Sequence, residues 1–210
     1  MEVNLRWITP DAEQVIIDTA RVSSNKPDGE PGEGLLRYLL KHQHWSPFEM
    51  ANMALTIETT RDISRQIIRH WTLRPQEYSQ RYAEQLSSVK NIREARLQDD
   101  KNRQSSHELP EDHPLVGVWK EKQADIVAHA NEVYQWARAQ GIAKEVARAV
   151  LPEGLTSTKL ELNGNIRSWI HFINLRKDNG TQKETRLVAE ECSKIFKEQM
   201  PTIWEAAIGE

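Results

Sequence analysis

Residues 61–82 read RDISRQIIRHWTLRPQEYSQRY. Placed on a helix at about 100° per residue, the segment 61–71 puts Arg61, Arg65 and Arg69 on one face and Ile63, Ile67 and Trp71 on the other. The apolar side suits a core, and three guanidiniums then point together. Like charges at this spacing repel by roughly 0.2–0.5 kcal/mol per pair, so an anion is expected to offset them. Acidic side chains elsewhere in the fold would make this an ordinary solvated face; phosphate oxygens would make it a ligand site, and the guanidinium fork fits both. A strand from Glu77, over 77–84, would put Glu77, Ser79 and Arg81 on one face. An acceptor, a hydroxyl and a cation side by side suit a ligand that carries phosphate and sugar hydroxyls.

Outward from this stretch, helical and strand periods alternate. Residues 2–8 predict a short strand, and Thr9-Pro10 an N-cap followed by proline at the first position of a helix over 10–22. Residues 24–34 form a polar loop. Leu35, Leu36, Leu39 and Leu40 make a helical stripe. Residues 48–59 alternate as a strand with Ala51, Met53, Leu55 and Ile57 on one face. The polar stretch 85–112 reads as a functional insertion or a helix with a solvated face. A long helix over 114–140 carries Val118, Ile126, Val133 and Trp136 and stops at Gly141. A short helix over 143–150, a strand over 156–162, helices over 165–176 and 181–199, and a turn from Pro201 complete an α+β chain. One domain over 1–210 is expected.

The net charge is -3 over 210 residues. A polymer-binding protein usually carries a basic excess, so nucleic acid is disfavoured as a partner. A single cysteine, Cys192, permits no disulfide within the chain and fits a reducing cytoplasm. The first residues, MEVNLRWITP, lack a basic segment followed by an apolar run, and no apolar stretch is long enough to span a bilayer. No signal peptide and no membrane association are expected.

Six further segments bear on function. Residues 69–81 hold Arg69-His70-Trp71, seven residues, then Ser79, with Glu77 and Arg81 around it. Ala20-Arg21-Val22-Ser23, His44-Trp45-Ser46-Pro47-Phe48-Glu49, Ala147-Arg148-Ala149-Val150-Leu151-Pro152, Asn165-Ile166-Arg167 and Asn174-Leu175-Arg176 complete the set. Together and in this order they resemble the flavin-dependent thymidylate synthase family, whose signature is Arg-His-Arg, seven residues, Ser. The resemblance implies a twisted, mostly antiparallel sheet flanked by long helices, assembled as a homotetramer with sites at subunit interfaces. It implies methyl transfer to C5 of dUMP, with methylenetetrahydrofolate as carbon donor, FAD as hydride source and NADPH as reductant.

By the same resemblance, Gln66, Arg69, Glu77, Ser79, Gln80, Arg81, Arg148 and Arg176 fall where the family holds the nucleotide, with Arg176 at the uracil edge. Arg69, Ser79 and Arg176 are the candidate catalytic residues. His44, Arg69, His70, Trp71, Gln76, Glu77, Asn165, Arg167 and His171 fall where it contacts FAD, and His44 and His171 also suit the folate side. Arg69, Arg81, Arg148 and Arg176 are therefore expected to converge. The departures are Trp71 for the second signature arginine, Arg74-Pro75 for a serine-containing stretch, and Gly180 for a histidine. They open two alternatives: a methylase or hydroxymethylase of another pyrimidine nucleotide, UMP or dCMP, and a non-catalytic nucleotide-binding relative.

Other chemistry is argued against. Cys192 lies among Leu187, Val188, Ile195 and Phe196 at helical spacing and reads as a core thiol rather than a nucleophile. There is no HExxH, cysteine pair, GxGxxG or Walker loop, so a metal site is not expected and FAD would be held by side chains. Ser79 reads as a phosphate or sugar ligand. Trp119, Trp136, Trp169 and Trp204 read as core, and Trp45 as near a ligand. Residues 93–104 read as a solvated loop, or as a lid or a contact with a neighbouring subunit.

Overall fold

The computed structural model describes residues 1–25 and 28–209. Its central sheet has four strands in the order β1-β2-β6-β3, all antiparallel: β1 (Glu2–Ile8), β2 (Asn52–Thr60), β3 (Arg74–Glu77) and β6 (Ser157–Asn165). Alternation sends Met53, Leu55 and Ile57 of β2 and Leu160 and Leu162 of β6 to one face, where all five are fully buried. Helices α1 (Ala12–Ala20), α2 (Glu33–Lys41), α6 (Ile166–Arg176), α7 (Lys183–Gln199) and α8 (Pro201–Ala207) supply Ile16, Leu36, Trp169, Phe172, Phe196 and Ile203 to the same core. The opposite sheet face carries Asn4, Trp7, Thr56, Glu161 and Gln76 in cross-strand rows.

Close approach at the sheet edge explains one glycine. A Cβ on Gly164 would meet Leu73 Cδ2 at 2.3 Å, and the Trp169 indole beside it donates to the Met53 carbonyl at 2.8 Å. Leu73 is thereby tucked under β6 just before β3. Pro75 sits within β3, which is tolerated because β3 is an edge strand.

Several sequence expectations shift. The first helix starts at Ala12, with Asp11 left-handed at φ 49°, because Thr9 is already engaged by β2: its Oγ accepts from Asn52 N at 2.9 Å. The expected loop over 24–34 includes Lys26 and Pro27, which lie outside the described residues, and its end is helical from Glu33. Phe48 belongs to a 3₁₀ turn, Ser46–Glu49, rather than to the strand. The stretch 85–112 holds a small hairpin, β4 (Arg96–Gln98) with β5 (Ser106–Glu108), so of its two readings the helical one does not hold.

The long helix α4 (Pro114–Ala139) begins after His113, whose ring nitrogen caps Leu115 N at 3.2 Å. It has two apolar stripes. Val127, Ala130, Tyr134 and Ala137 are buried, the last three against Ala147 and Leu151 around α5 (Lys144–Ala147). Leu115, Val118, Trp119, Ile126 and Trp136 are exposed, Trp119 at 44% and Trp136 at 60%. These two tryptophans are therefore not core residues, whereas Trp169 is. No helix among the described residues is long and apolar enough to cross a membrane.

Candidate functional site

Helix α3 (Arg61–Ile67) is shorter than its periodicity predicts, with Ile68 as its C-cap. Ile63 and Ile67 are fully buried as expected, but Trp71 lies past the helix end and is 76% exposed. Tight turns after Ile67 account for this: His70 N bonds the Ile67 carbonyl at 3.1 Å and Leu73 N bonds the His70 carbonyl at 2.8 Å. The guanidinium of Arg74 donates to the Trp71 carbonyl at 2.5 Å and holds the turn.

The three arginines of the helical reading divide. Glu77, at the end of β3, accepts from Ser64 Oγ at 2.6 Å, Thr158 Oγ1 at 3.0 Å and Arg65 Nη1 at 3.4 Å, with Arg61 Nη1 at 3.8 Å. Arg65 also meets Glu153 at 3.6 Å. Acidic partners within the fold thus offset Arg61 and Arg65. Arg69 is exposed and its guanidinium makes no hydrogen bond or ion pair among the described residues.

Arg176, the last residue of α6, is fixed beside it. Its Nε donates to His70 Nε2 at 2.8 Å and its Nη2 donates to the Gln66 carbonyl at 3.2 Å. The Gln66 side chain is held in turn by Gln182 Oε1 at 2.7 Å and Thr185 Oγ1 at 3.0 Å. Burial, then the Arg176 charge, then His171 lower the His70 pKa to about 4. The imidazole is thus neutral at pH 7, accepts at Nε2, and carries its proton on Nδ1. Burial, and after it the charge of Arg69, lowers the Arg176 pKa. Two guanidiniums are thus close enough to repel, and no carboxylate among the described residues pairs with either.

From there the exposed edge of α6 carries further candidates. His171 lies 6.2 Å from His70 between ring centroids, and Arg167 is one turn back on the same face. Arg167 bonds Glu49 and lies 5.8 Å over the Trp45 ring, beside His44, whose ring is 6.1 Å from that of His42. Asn165 caps α6 by accepting from Ser168 N at 2.9 Å; its amide nitrogen makes no hydrogen bond among the described residues.

A second group sits beyond β3. The expected strand over 77–84 is instead β3 at 74–77 followed by a turn in which Tyr82 N and Ala83 N bond the Ser79 carbonyl. Glu77, Ser79 and Arg81 therefore share no strand face. Arg81 Nε meets Glu145 at 3.1 Å, and Arg148 follows Glu145 by one turn, its guanidinium without hydrogen bond or ion pair among the described residues. Gln80 is buried, with an Nε2 that has no hydrogen-bond partner among the described residues. Gln76 is exposed in β3 opposite Glu161. Arg69 is thus close enough to Arg176 to act on its charge, and Arg81 is tied to Glu145, one turn before Arg148. No hydrogen bond or ion pair among the described residues joins Arg69 or Arg176 to Arg81 or Arg148.

The residues that hold these groups in place, Ser64, Thr158, Gln182 and Thr185, were not legible in the sequence; only the i, i+3 spacing of Gln182 and Thr185 hints that they face one partner. Cys192 is fully buried in α7, and burial pushes its thiol pKa up, away from a nucleophilic thiolate. Among the described residues, no group of three or more His, Cys, Asp or Glu side chains is placed to hold a metal ion.

The family model described as thymidylate synthase complementing protein matches residues 4–202. A probable flavin-dependent thymidylate synthase of Paramecium bursaria Chlorella virus 1 is 42% identical over 93% of this chain and 90% of its own length. A flavin-dependent thymidylate synthase of Synechocystis sp. is 41% identical over 96% of this chain and 97% of its own. Among solved structures, the UMP/dUMP methylase PolB from Streptomyces cacaoi, bound with 5-Br UMP, superposes with a TM-score of 0.82 at 29% identity, covering 98% of this chain and 92% of that one. The same enzyme bound with 5-Br dUMP gives 0.81 at 28% identity.

Proposed function

This chain belongs to the thymidylate synthase complementing protein family, as an enzyme of the flavin-dependent thymidylate synthase type, and from that premise we propose how its own residues carry the reaction. The substrate is dUMP and the product dTMP; methylenetetrahydrofolate gives the carbon, FAD is the flavin and NADPH the reductant. The observation that carries this reading is the Arg69–Arg176 pair, in which Arg176 is steadied by a neutral imidazole and a carbonyl and Arg69 beside it has no ion pair among the described residues. Such a pair is stabilised by an anion, and a nucleotide brings one.

Arg176 sits at the pyrimidine edge and stabilises negative charge as the ring carbon becomes nucleophilic, with its guanidinium already oriented by His70. Gln66, held from two sides, presents its amide to the same ligand. Ser79, Gln80 and Arg81 form the phosphate-binding turn, which Glu77 anchors to α3 and β6. Arg148 completes the charge around the phosphate. The unneutralised Arg69 and the flat, exposed Trp71 suit the pyrophosphate and ring system of FAD, as do His44, His70, Gln76, Glu77, Asn165, Arg167 and His171. The bound flavin supplies a hydride; the folate lies toward His44 and His171.

The proposal includes a homotetramer in which Arg81 and Arg148 of one copy face Arg69 and Arg176 of another. The open sheet face and the exposed Ile126 and Trp136 of α4 are the surfaces for assembly. Residues 1–210 act as one domain, in the cytoplasm.

The experiment supplies dUMP tritiated at C5 with FAD, methylenetetrahydrofolate and NADPH. Tritium release together with dTMP is expected; neither would appear from a non-catalytic nucleotide-binding protein. A second reading, a methylase or hydroxymethylase of UMP or dCMP, is favoured by the structural likeness to a UMP/dUMP methylase and by the Trp71 and Arg74 departures. A kcat/KM for UMP or dCMP above that for dUMP would select it.

A further inference from the structure

A cavity of about 720 Å³ opens between the β4–β5 hairpin, the first two turns of α4 and the first turn of α7. None of the residues placed above in nucleotide or flavin binding lines it. Its wall holds six basic side chains and two acidic ones. Three of the cations are already neutralised: Arg93 by Asp62 at 3.0 Å, Arg96 by Glu184 at 2.6 Å, and Lys183 by Glu108 at 2.5 Å and Glu94 at 2.7 Å. Lys183 thereby engages both acidic residues of the wall. Arg103 and Lys122 have no ion pair among the described residues, and Arg186 has only a loose one, to Glu190 at 3.8 Å. The surplus is positive and lies on three separate segments.

The facing wall is apolar and partly flat. Trp119 presents its indole there, with Leu97, Leu109, Leu115 and Val118 around it. Water-exposed tryptophan beside uncompensated cations is costly to leave uncovered and matches a ligand with a planar ring at one end and several negative charges at the other. The volume lies within the range of small-molecule and cofactor pockets, about 300–1,000 Å³. The hairpin rim is braced rather than loose: Gln98 Nε2 donates to the Ser105 carbonyl at 3.1 Å, and Asp99 accepts from Asn102 N at 2.6 Å.

We propose that this cavity is a second ligand site, for a nucleoside polyphosphate whose base stacks on Trp119 and whose phosphates meet Arg103, Lys122 and Arg186. Three cations favour a polyphosphate over a monophosphate, and the apolar wall favours a nucleotide over inorganic phosphate.

The test is equilibrium dialysis with ATP as the probe, on the full chain with saturating FAD and dUMP present. About one ATP retained per chain is expected. Trp119→Ala and a Lys122→Glu, Arg103→Glu double variant should each weaken retention at least tenfold, with thermal midpoints unchanged, since all three residues are exposed. Tripolyphosphate should compete at least tenfold more weakly than unlabelled ATP. Absent retention, retention indifferent to Trp119→Ala, or retention abolished by Arg176→Ala would each overturn the site. A protein that binds ATP in this way but neither FAD nor dUMP would keep this inference and remove the proposed reaction instead.

Discussion

Arg176 Nε donates to His70 Nε2 across 2.8 Å, tying the last residue of α6 to the turn that follows α3. The bond needs an unprotonated Nε2, and burial keeps it so by lowering the His70 pKa from 6.5 to about 4. A neutral partner orients the guanidinium without consuming its charge, so the charge stays available to a ligand.

That relationship sets a pH dependence. The unfolded chain takes up a proton on His70 near pH 6.5, whereas the folded chain resists until about pH 4. The stability contributed is therefore complete above pH 6.5 and is lost progressively as pH falls toward 4. Thermal midpoints measured from pH 8 to pH 4 should fall in that window, and His70→Asn should flatten part of the fall. A His70 imidazole that titrates near 6.5 in the folded protein by NMR would contradict this.

Arg176→Lys keeps a charge and loses the fork that bonds both His70 and the Gln66 carbonyl. Its kcat should drop by about 10²–10³, while far-UV circular dichroism stays as in the parent. An unchanged kcat would mean that the guanidinium does not face the reacting ring.

Glu77 gathers Ser64, Thr158, Arg65 and the buried Arg61. Glu77→Ala leaves Arg61 without its counter-charge, which costs about 3 kcal/mol. Urea unfolding should show the loss, and dUMP binding should weaken with it as the Ser79 turn loosens.

Trp71 is exposed, and its hydrogen bonds among the described residues are made by its backbone, the carbonyl accepting from Arg74 and the N–H donating to the Arg69 carbonyl. Trp71→Ala should leave the thermal midpoint unchanged and weaken FAD about five- to tenfold, the equivalent of an aromatic contact of roughly 1 kcal/mol. Fluorescence titration with FAD measures it; unaltered affinity would place the ring elsewhere.

Cys192→Ala should lower the thermal midpoint, since the side chain is fully buried, and should keep dTMP formation per folded molecule within about twofold. Loss of activity with intact folding would point to thiol chemistry.

Periodicity made Ile63, Ile67, Met53, Leu55, Ile57 and the core position of Cys192 legible, because burial on one face leaves a regular mark. The end of α3 was not legible: Arg69 and Trp71 continue the helical spacing, and only the tertiary seat of Leu73 beneath Gly164 forces the chain out of the helix. The strand was misplaced for the same reason, since pairing with β6 selects 74–77 despite Pro75. Trp119 and Trp136 share an apolar period with the buried stripe of α4, and period alone does not say which stripe faces inward. Of the candidate site, Arg69, His70, Gln66 and Arg176 are brought together in the structure, and Arg81 is bonded to Glu145. The supports Gln182, Thr185 and Thr158 act across long sequence separations that leave no local pattern.

The central claim, that a bound flavin replaces a thiol in this methylation, is tested most directly by stripping the purified protein of flavin and following dTMP from dUMP by chromatography. No product is expected from the stripped protein, with full recovery once FAD is returned at one equivalent per site. Steady dTMP production in the absence of any flavin would contradict the account.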